Sequence, residues 1–179
     1  MNILKKIYKI LLSEDIDFLK RRGLIVGKNF KMQRDCIIDK DHCFLISIGD
    51  NVSLAPRVHI LAHDASTKND LGYTKIGQVN IGNNVFVGAG SIILPNVTIG
   101  DNCIIGAGSV VTKSFTEGQV IAGNPAKVIG ITKDYLEKNK ILMKNNPVYD
   151  ESWTIRKKIS NERKKEMKNS LNDKIGFVE

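Results

Sequence analysis

A period of six limits the fold of this chain more than any other feature. From 48 to 59 and again from 81 to 116 an aliphatic residue opens every hexad: IGDNVS, LAPRVH, IGNNVF, VGAGSI, ILPNVT, IGDNCI, IGAGSV and VTKSFT. The fifth position is Val, Ser, Cys or Phe, so two side chains per hexad point inward. Gly, Asn and Asp crowd the positions between, where a corner needs positive φ at small steric cost. An amphipathic helix repeats every 3.6 residues and a half-buried strand every two, so neither generates a repeat of six. A six-residue strand and corner cannot bury its apolar side alone, whereas stacked units share a continuous core and pair each strand with the coils on either side. The pattern therefore predicts an all-β core, a parallel β-helix. The register continues backward through VGKNFK (26–31), MQRDCI (32–37) and IDKDHC (38–43), with Phe44 to Ser47 as a four-residue insertion.

Outside the repeat the chain changes character. Ile3, Leu4, Ile7, Ile10 and Leu11 follow helical spacing, Ser13 is placed to N-cap a second segment and Gly23 to end it. This predicts an N-terminal helical cap over 1–23, a β-helix domain over 24–130 and a charged, mostly helical extension over 131–179. The net charge of +8 is confined to the flanks: residues 31–130 hold 8 basic and 8 acidic side chains. The basic residues alternate with acids on helix-like segments and form no stripe interleaved with aromatics, so neither nucleic-acid binding nor membrane contact is expected. No apolar run reaches the roughly 18 residues of a membrane span, and the N-terminus lacks a signal peptide's apolar region. Cys36, Cys43 and Cys103 are odd in number and form no CxxC, which predicts reduced thiols and a cytoplasmic location.

The repeat stops within VHILAHDAST (58–67). Ile60 opens a hexad, so the next aliphatic position is 66, yet the pattern resumes only at Ile81. The difference is a loop excursion over 64–78. His63 is fourth in its hexad, at a corner, where an ordinary core histidine would stand first or fifth. It projects outward beneath a loop able to close over a substrate.

The tandem hexads, GAGSVVTK (106–113) and the closing AGNPAKVI (122–129) resemble the hexapeptide-repeat acyltransferases, especially the galactoside, maltose and capsular-polysaccharide O-acetyltransferases. The resemblance covers roughly residues 24–130. It implies a left-handed β-helix with three hexads per coil, a homotrimer, and acetyl-CoA bound in grooves between subunits. It also implies that His63 is the general base for a sugar hydroxyl and that the backbone N–H of Ala89 stabilises the oxyanion. By the same resemblance acetyl-CoA is the expected acyl donor, and transfer from a thioester to a hydroxyl is expected to require no metal.

Carried over by motif, the cofactor residues are Phe86, Gly88, Ala107, Thr112, Lys113 and Lys127. Lys127 replaces an arginine common in the family, Gly130 replaces a second, and Phe86 stands where several relatives have Trp. On the acceptor side the candidates are Asp39, Asp41, His42, Asp64 and Tyr73, with Asp64 also placed to orient His63. His59, sixth in its hexad, reads as structural. Three alternatives stand beside a saccharide O-acetyltransferase. They are an amino-sugar N-acetyltransferase, a non-enzymatic β-helix scaffold and a metalloenzyme like the γ-type carbonic anhydrases. That last family spaces two of its zinc histidines five apart, whereas His59 and His63 are four apart.

Overall fold

The first-position side chains Ile48, Leu54, Ile60, Ile81, Val87, Ile93, Ile99, Ile105 and Val111 are all between 0 and 3% exposed. The fifth-position residues Val52, Val58, Val85, Ser91, Val97, Cys103 and Ser109 are buried with them. The two serines are satisfied inside the core by the carbonyl of Gly106, at 2.9 Å from Ser91 Oγ and 2.6 Å from Ser109 Oγ. The computed structural model describes residues 16–179, so the helix expected over 3–11 and its Ser13 cap lie outside the described residues.

The core belongs to a left-handed parallel β-helix with three faces. One face stacks Ile25–Val26, Ile46–Ile48, Val79–Ile81 and Val97–Ile99. The second stacks Lys31–Met32, Ser53–Leu54, Phe86–Val87, Ile104–Ile105 and Gln119–Gly123, and the third Ile37–Ile38, His59–Ile60, Ile92–Ile93 and Val110–Val111. The second face ends with an antiparallel strand, Ala126–Ile131, folded back on Gln119–Gly123. At one corner Asn29, Asn51, Asn84 and Asn102, each fourth in its hexad, take φ of 55–58°. Their side-chain amides pass hydrogen bonds along the stack at 2.9, 3.0 and 3.1 Å.

Where the second position is Gly27, Gly49, Gly82, Gly88 or Gly100, the next coil stacks closely enough to leave little room beyond hydrogen. A Cβ on Gly82 would stand 2.8 Å from the backbone N of Asp101 and 2.3 Å from its Oδ1. Gly82→Ala is expected to destabilise the domain by about 1–3 kcal/mol, through overpacking that urea denaturation would measure.

Paired residues on the first face show where the period fails. Val26 pairs with Ile48, Ile48 with Ile81, Ile81 with Ile99, and Ile99 with Phe115, steps of 22, 33, 18 and 16 residues against 18 for three hexads. All three departures fall at the corner between the third and first faces. The four-residue insertion lies earlier than the sequence suggested. Ile46 pairs with Val79 and is 1% exposed, so Ile46 takes the fifth position, and the extra residues, including the turn Cys43–Leu45, precede it. Phe115 is likewise not fifth in its hexad. Its pairing with Ile99 gives it the first position of the next coil, two residues early, and Gln119 takes the fifth place.

The 15-residue excursion is a hairpin in which His63–Asp64 pairs antiparallel with Lys75–Ile76 around a short helix, Lys68–Leu71. It leaves after Ala62, whose carbonyl accepts from Gly77 N, so His63 is the first rung of the hairpin and not the last residue before it.

Ahead of the coils a short helix, Ile16–Arg21, buries Leu19 and ends at Gly23, φ 104°. Residues 133–179 form a second compact unit. It contains the helix Thr132–Asn145 from its second residue on, and the helix Asn161–Ser170 with Ser160 Oγ capping Arg163 N. An unanticipated parallel pair, Val148–Tyr149 with Phe177–Val178, completes it. Among the described residues no helix is long and apolar enough to cross a membrane.

Candidate active site

The corner that carries the insertion and the hairpin is the one place where the polypeptide leaves the β-helix in two successive coils. Ile38 and Ile60 are stacked first-position residues, so Asp39 lies beside the start of the excursion, with its N–H on the carbonyl of Ile60 at 2.9 Å. Its carboxylate turns inward and is 4% exposed with the residue. Oδ1 accepts from the amides of Asp41 at 3.1 Å and His42 at 3.0 Å, and Oδ2 accepts from the amide of Ala62 at 3.0 Å and from Nδ1 of His63. Burial alone would raise the carboxyl pKa. The bonds from the His63 ring and the amides of His42 and Ala62 outweigh it and hold the group below its ordinary value of 3.8.

That charge settles the tautomer of His63. An ionised carboxylate only accepts, so Nδ1 carries the hydrogen and the neutral ring presents Nε2 as an acceptor. The side chain is 35% exposed, against 1% for Asp39. A buried carboxylate behind a half-exposed imidazole is an arrangement for taking a proton from a bound group.

Asp39 therefore does not stand among solvent-facing acceptor contacts; it holds the histidine. Asp64 does not orient His63 either. Its carboxylate meets Lys75 Nζ at 2.6 Å and caps the amide of Ser66 at 2.9 Å, and these contacts, led by the lysine, bring its pKa down to about 2. His42 lies beside the pair, its ring centre 5.0 Å from that of His63 and its Nδ1 3.7 Å from Asp39 Oδ1. Asp41 is exposed and contributes its amide. Tyr73, 80% exposed, is at the far end of the hairpin, where its carbonyl accepts from Thr67 Oγ1 at 2.9 Å.

The cofactor candidates fall elsewhere on the same chain. Phe86 is on the second face, 47% exposed, and Gly88 and Ala89 form the corner between second and third faces. Ala107 is the corresponding corner residue one coil on, close enough that a Cβ on Gly88 would meet its N at 2.4 Å. Among the described residues the amide of Ala89 donates to no acceptor, while its carbonyl accepts from Gly108 N at 2.8 Å. Lys127, exposed, pairs with Ala122 on the folded-back strand. Thr112 and Lys113 are exposed at the shortened turn before Phe115, with Lys113 Nζ 5.7 Å from that ring. One chain thus gathers Asp39, His42 and His63 at one corner and Phe86, Gly88, Ala89 and Ala107 at another.

The role of Asp39 was readable from register alone, because stacking Ile38 under Ile60 sets Asp39 next to the residues that lead into His63. The three thiols are turned to backbone carbonyls. Cys36, Cys43 and Cys103 are buried and form no disulfide among the described residues, with Cys36 Sγ on Ala55 O and Cys103 Sγ on Thr116 O, both at 3.1 Å. Burial pushes the Cys103 thiol up from its ordinary pKa.

Residues 78–113 match the bacterial transferase hexapeptide (six repeats) family. Protein CapG of Staphylococcus aureus is 36% identical over 139 residues, 74% of this chain and 81% of CapG. A maltose O-acetyltransferase from Clostridium difficile 630 superposes with a TM-score of 0.51 and 44% identity, over 61% of this chain and 59% of that one. A galactoside acetyltransferase in complex with coenzyme A gives 0.54 and 30% identity, over 73% and 78%. The chain spans about half the length of two further curated relatives, 55% and 53%. The stacked coils seen here and the extent of the likeness to CapG lead to one conclusion: the chain belongs to the hexapeptide-repeat transferase family.

Proposed function

We propose that this protein is an acetyl-CoA-dependent O-acetyltransferase acting on a saccharide hydroxyl, with His63 as general base and direct transfer in a ternary complex. The observation that carries this reading is the Asp39–His63 pair at the mouth of the hairpin. Nε2 of His63 accepts the hydroxyl proton as the oxygen attacks the thioester carbon. The charge that develops on the thioester oxygen is met by the amide of Ala89, which has no other acceptor among the described residues. Collapse of the adduct expels the CoA thiolate, and His63 returns the proton to it. Three buried thiols, each turned to a backbone carbonyl (Cys36 to Ala55, Cys43 to Leu19 and Cys103 to Thr116), favour direct transfer over an acyl-cysteine. They also support a reducing compartment, and the cytoplasm is the proposed location.

Likeness to a galactoside acetyltransferase holding coenzyme A supports the donor, and that enzyme with the maltose O-acetyltransferase supports a sugar acceptor. The separation of His63 from Phe86, Gly88 and Ala89 onto different corners supports a site completed by a neighbouring subunit. A heterologous contact between two different corners generates a ring when its rotation closes, and a homotrimer is the proposed ring. Light scattering is expected to give three chains per particle at micromolar concentration; a clean monomer there contradicts it.

Lys127 is proposed to meet a CoA phosphate as an exposed point charge. Lys127→Ala is expected to raise KM for acetyl-CoA roughly three- to tenfold with kcat nearly unchanged, because a phosphate contact is uniform binding. A fall in kcat with KM unmoved contradicts that role. The acceptor class is tested by release of free thiol from acetyl-CoA across neutral sugars, nucleotide sugars, amino sugars and L-serine. Thiol release with a neutral or nucleotide sugar, and an O-acetyl product, is the expected result. Release only with an amine, or only with serine, overturns the saccharide hydroxyl.

A further inference from the structure

His42 has no part in the proton transfer described above, yet its geometry is specific. Nδ1 is shielded from solvent and has no hydrogen-bond partner among the described residues, although it stands 3.7 Å from Asp39 Oδ1. A buried ring nitrogen without a partner is uncommon and asks for an explanation. It faces the same carboxylate that holds His63, and one ligand atom each from Asp39, His42 and His63 lies within 4.8 Å of the others. We propose that this corner is a binding site for one Zn²⁺ ion, held by the Asp39 carboxylate, His42 Nδ1 and His63 Nδ1, and that the ion switches the enzyme off.

Two imidazoles and a carboxylate form a donor set of the kind zinc takes in three-ligand sites that keep a fourth position for water. Ligand atoms on one tetrahedral Zn²⁺ stand roughly 3.3 Å apart, given bonds of about 2.0–2.1 Å. The longest separation must therefore close by about 1.5 Å at most, while Asp39 Oδ2 and His63 Nδ1, now in hydrogen-bond contact, must open to admit the ion. The ring of His42, 28% exposed, has the freedom to do it. The carboxylate is already aimed, because the amides of Asp41, His42 and Ala62 keep their bonds to it when the ion takes the place of the His63 hydrogen. Such outer contacts orient the atoms that bind a metal.

The inhibitory consequence follows from the proton. In the metal-free pair the hydrogen is on Nδ1 and Nε2 is the open acceptor. A Zn²⁺ ion on Nδ1 moves that hydrogen to Nε2, with no proton gained or lost by the neutral ring. Nε2–H then donates and cannot take a proton from a hydroxyl. The binding of the ion stands by itself; its inhibitory effect rests on His63 being the base.

The test uses full-length protein stripped with a chelator, with Zn²⁺ by equilibrium dialysis and Co²⁺ by visible absorption as probes. Wild type is expected to take one Zn²⁺ per chain at micromolar free metal and to give a cobalt spectrum of low-coordinate N/O ligation. His42→Ala and His42→Gln are expected to weaken Zn²⁺ binding by at least about 100-fold, while His59→Ala binds like wild type. Acetyl transfer, with each variant normalised to its own metal-free rate, is expected to fall with bound Zn²⁺ in wild type and to be insensitive in the His42 variants. The Gln variant covers the case in which the Ala variant does not fold. Absence of stoichiometric binding in wild type, or a His42 variant that binds as tightly, overturns the site. Stoichiometric Zn²⁺ with the metal-free rate retained overturns the inhibition. If His63→Ala shows instead that His63 is not the base, dialysis and the cobalt spectrum still report on the site.

Discussion

His63→Ala is expected to lower kcat for acetyl transfer by at least about 100-fold while leaving acetyl-CoA binding near wild type. A general base acts only as the transition state forms, so its loss appears in kcat and in kcat/KM together. The fold survives because the ring, at the base of the hairpin, is 35% exposed and its removal opens no cavity among the first- and fifth-position side chains. The variant still leaves Asp39 with one fewer partner, which costs about 1–3 kcal/mol. Three backbone amides remain on that carboxylate and keep it ionised and oriented. His59→Ala is the internal control. His59 is on the third face, paired with Ile37 and Ile92, and its loss is expected to keep kcat within about tenfold, roughly 1.4 kcal/mol of barrier.

Asp39→Asn is expected to cost about 10²–10⁴ in kcat, through the tautomer and not through a missing contact. Oδ1 and Oδ2 together accept four hydrogen bonds, and an amide cannot accept at both ends. Three of the donors are fixed backbone N–H groups, so the adaptable partner is the ring. With an NH₂ facing it, Nδ1 becomes the acceptor, the hydrogen moves to Nε2, and the base is blocked. The same substitution has a signature in stability against pH. The carboxyl of Asp39 is held below 3.8 in the folded protein, so its contribution is complete above that value and disappears as pH falls through the folded pKa. Urea denaturation is expected to show Asp39→Asn less stable than wild type at neutral pH by a constant margin, and the margin is expected to shrink as pH drops below about 3.8. A margin that grows in acid contradicts this sign.

The inward residues of the coils are legible because stacking repeats one environment every six positions, so Ile48 through Val111 announce themselves by spacing. His63 is legible for the opposite reason, as a polar residue where the spacing fails. His42 is harder, since its place beside Asp39 and His63 depends on how an insertion of four residues is absorbed. Assigning those residues to 44–47 puts His42 inside the barrel, whereas the buried Ile46 moves the insertion back and sends His42 out to the corner. Phe115 misleads similarly: an aromatic at a fifth position fits the pattern, and only pairing with Ile99 reveals a coil two residues short. Asp64 follows His63 in sequence, but adjacent strand side chains diverge, and its partner is across the hairpin at Lys75. Two-residue strands such as Val148–Tyr149 and Phe177–Val178 carry no periodicity, and the handedness of the coil has no expression in spacing at all.

Transfer of labelled acetyl from acetyl-CoA to a saccharide acceptor, followed in parallel with wild type, His63→Ala and His59→Ala, tests the central claim most directly. Label is predicted to appear on a sugar oxygen with wild type and His59→Ala, with none retained on the protein, and to be reduced at least about 100-fold with His63→Ala at saturating acetyl-CoA. Undiminished transfer by His63→Ala, a dead His59→Ala, or label held covalently by the protein before it reaches the sugar would contradict the account.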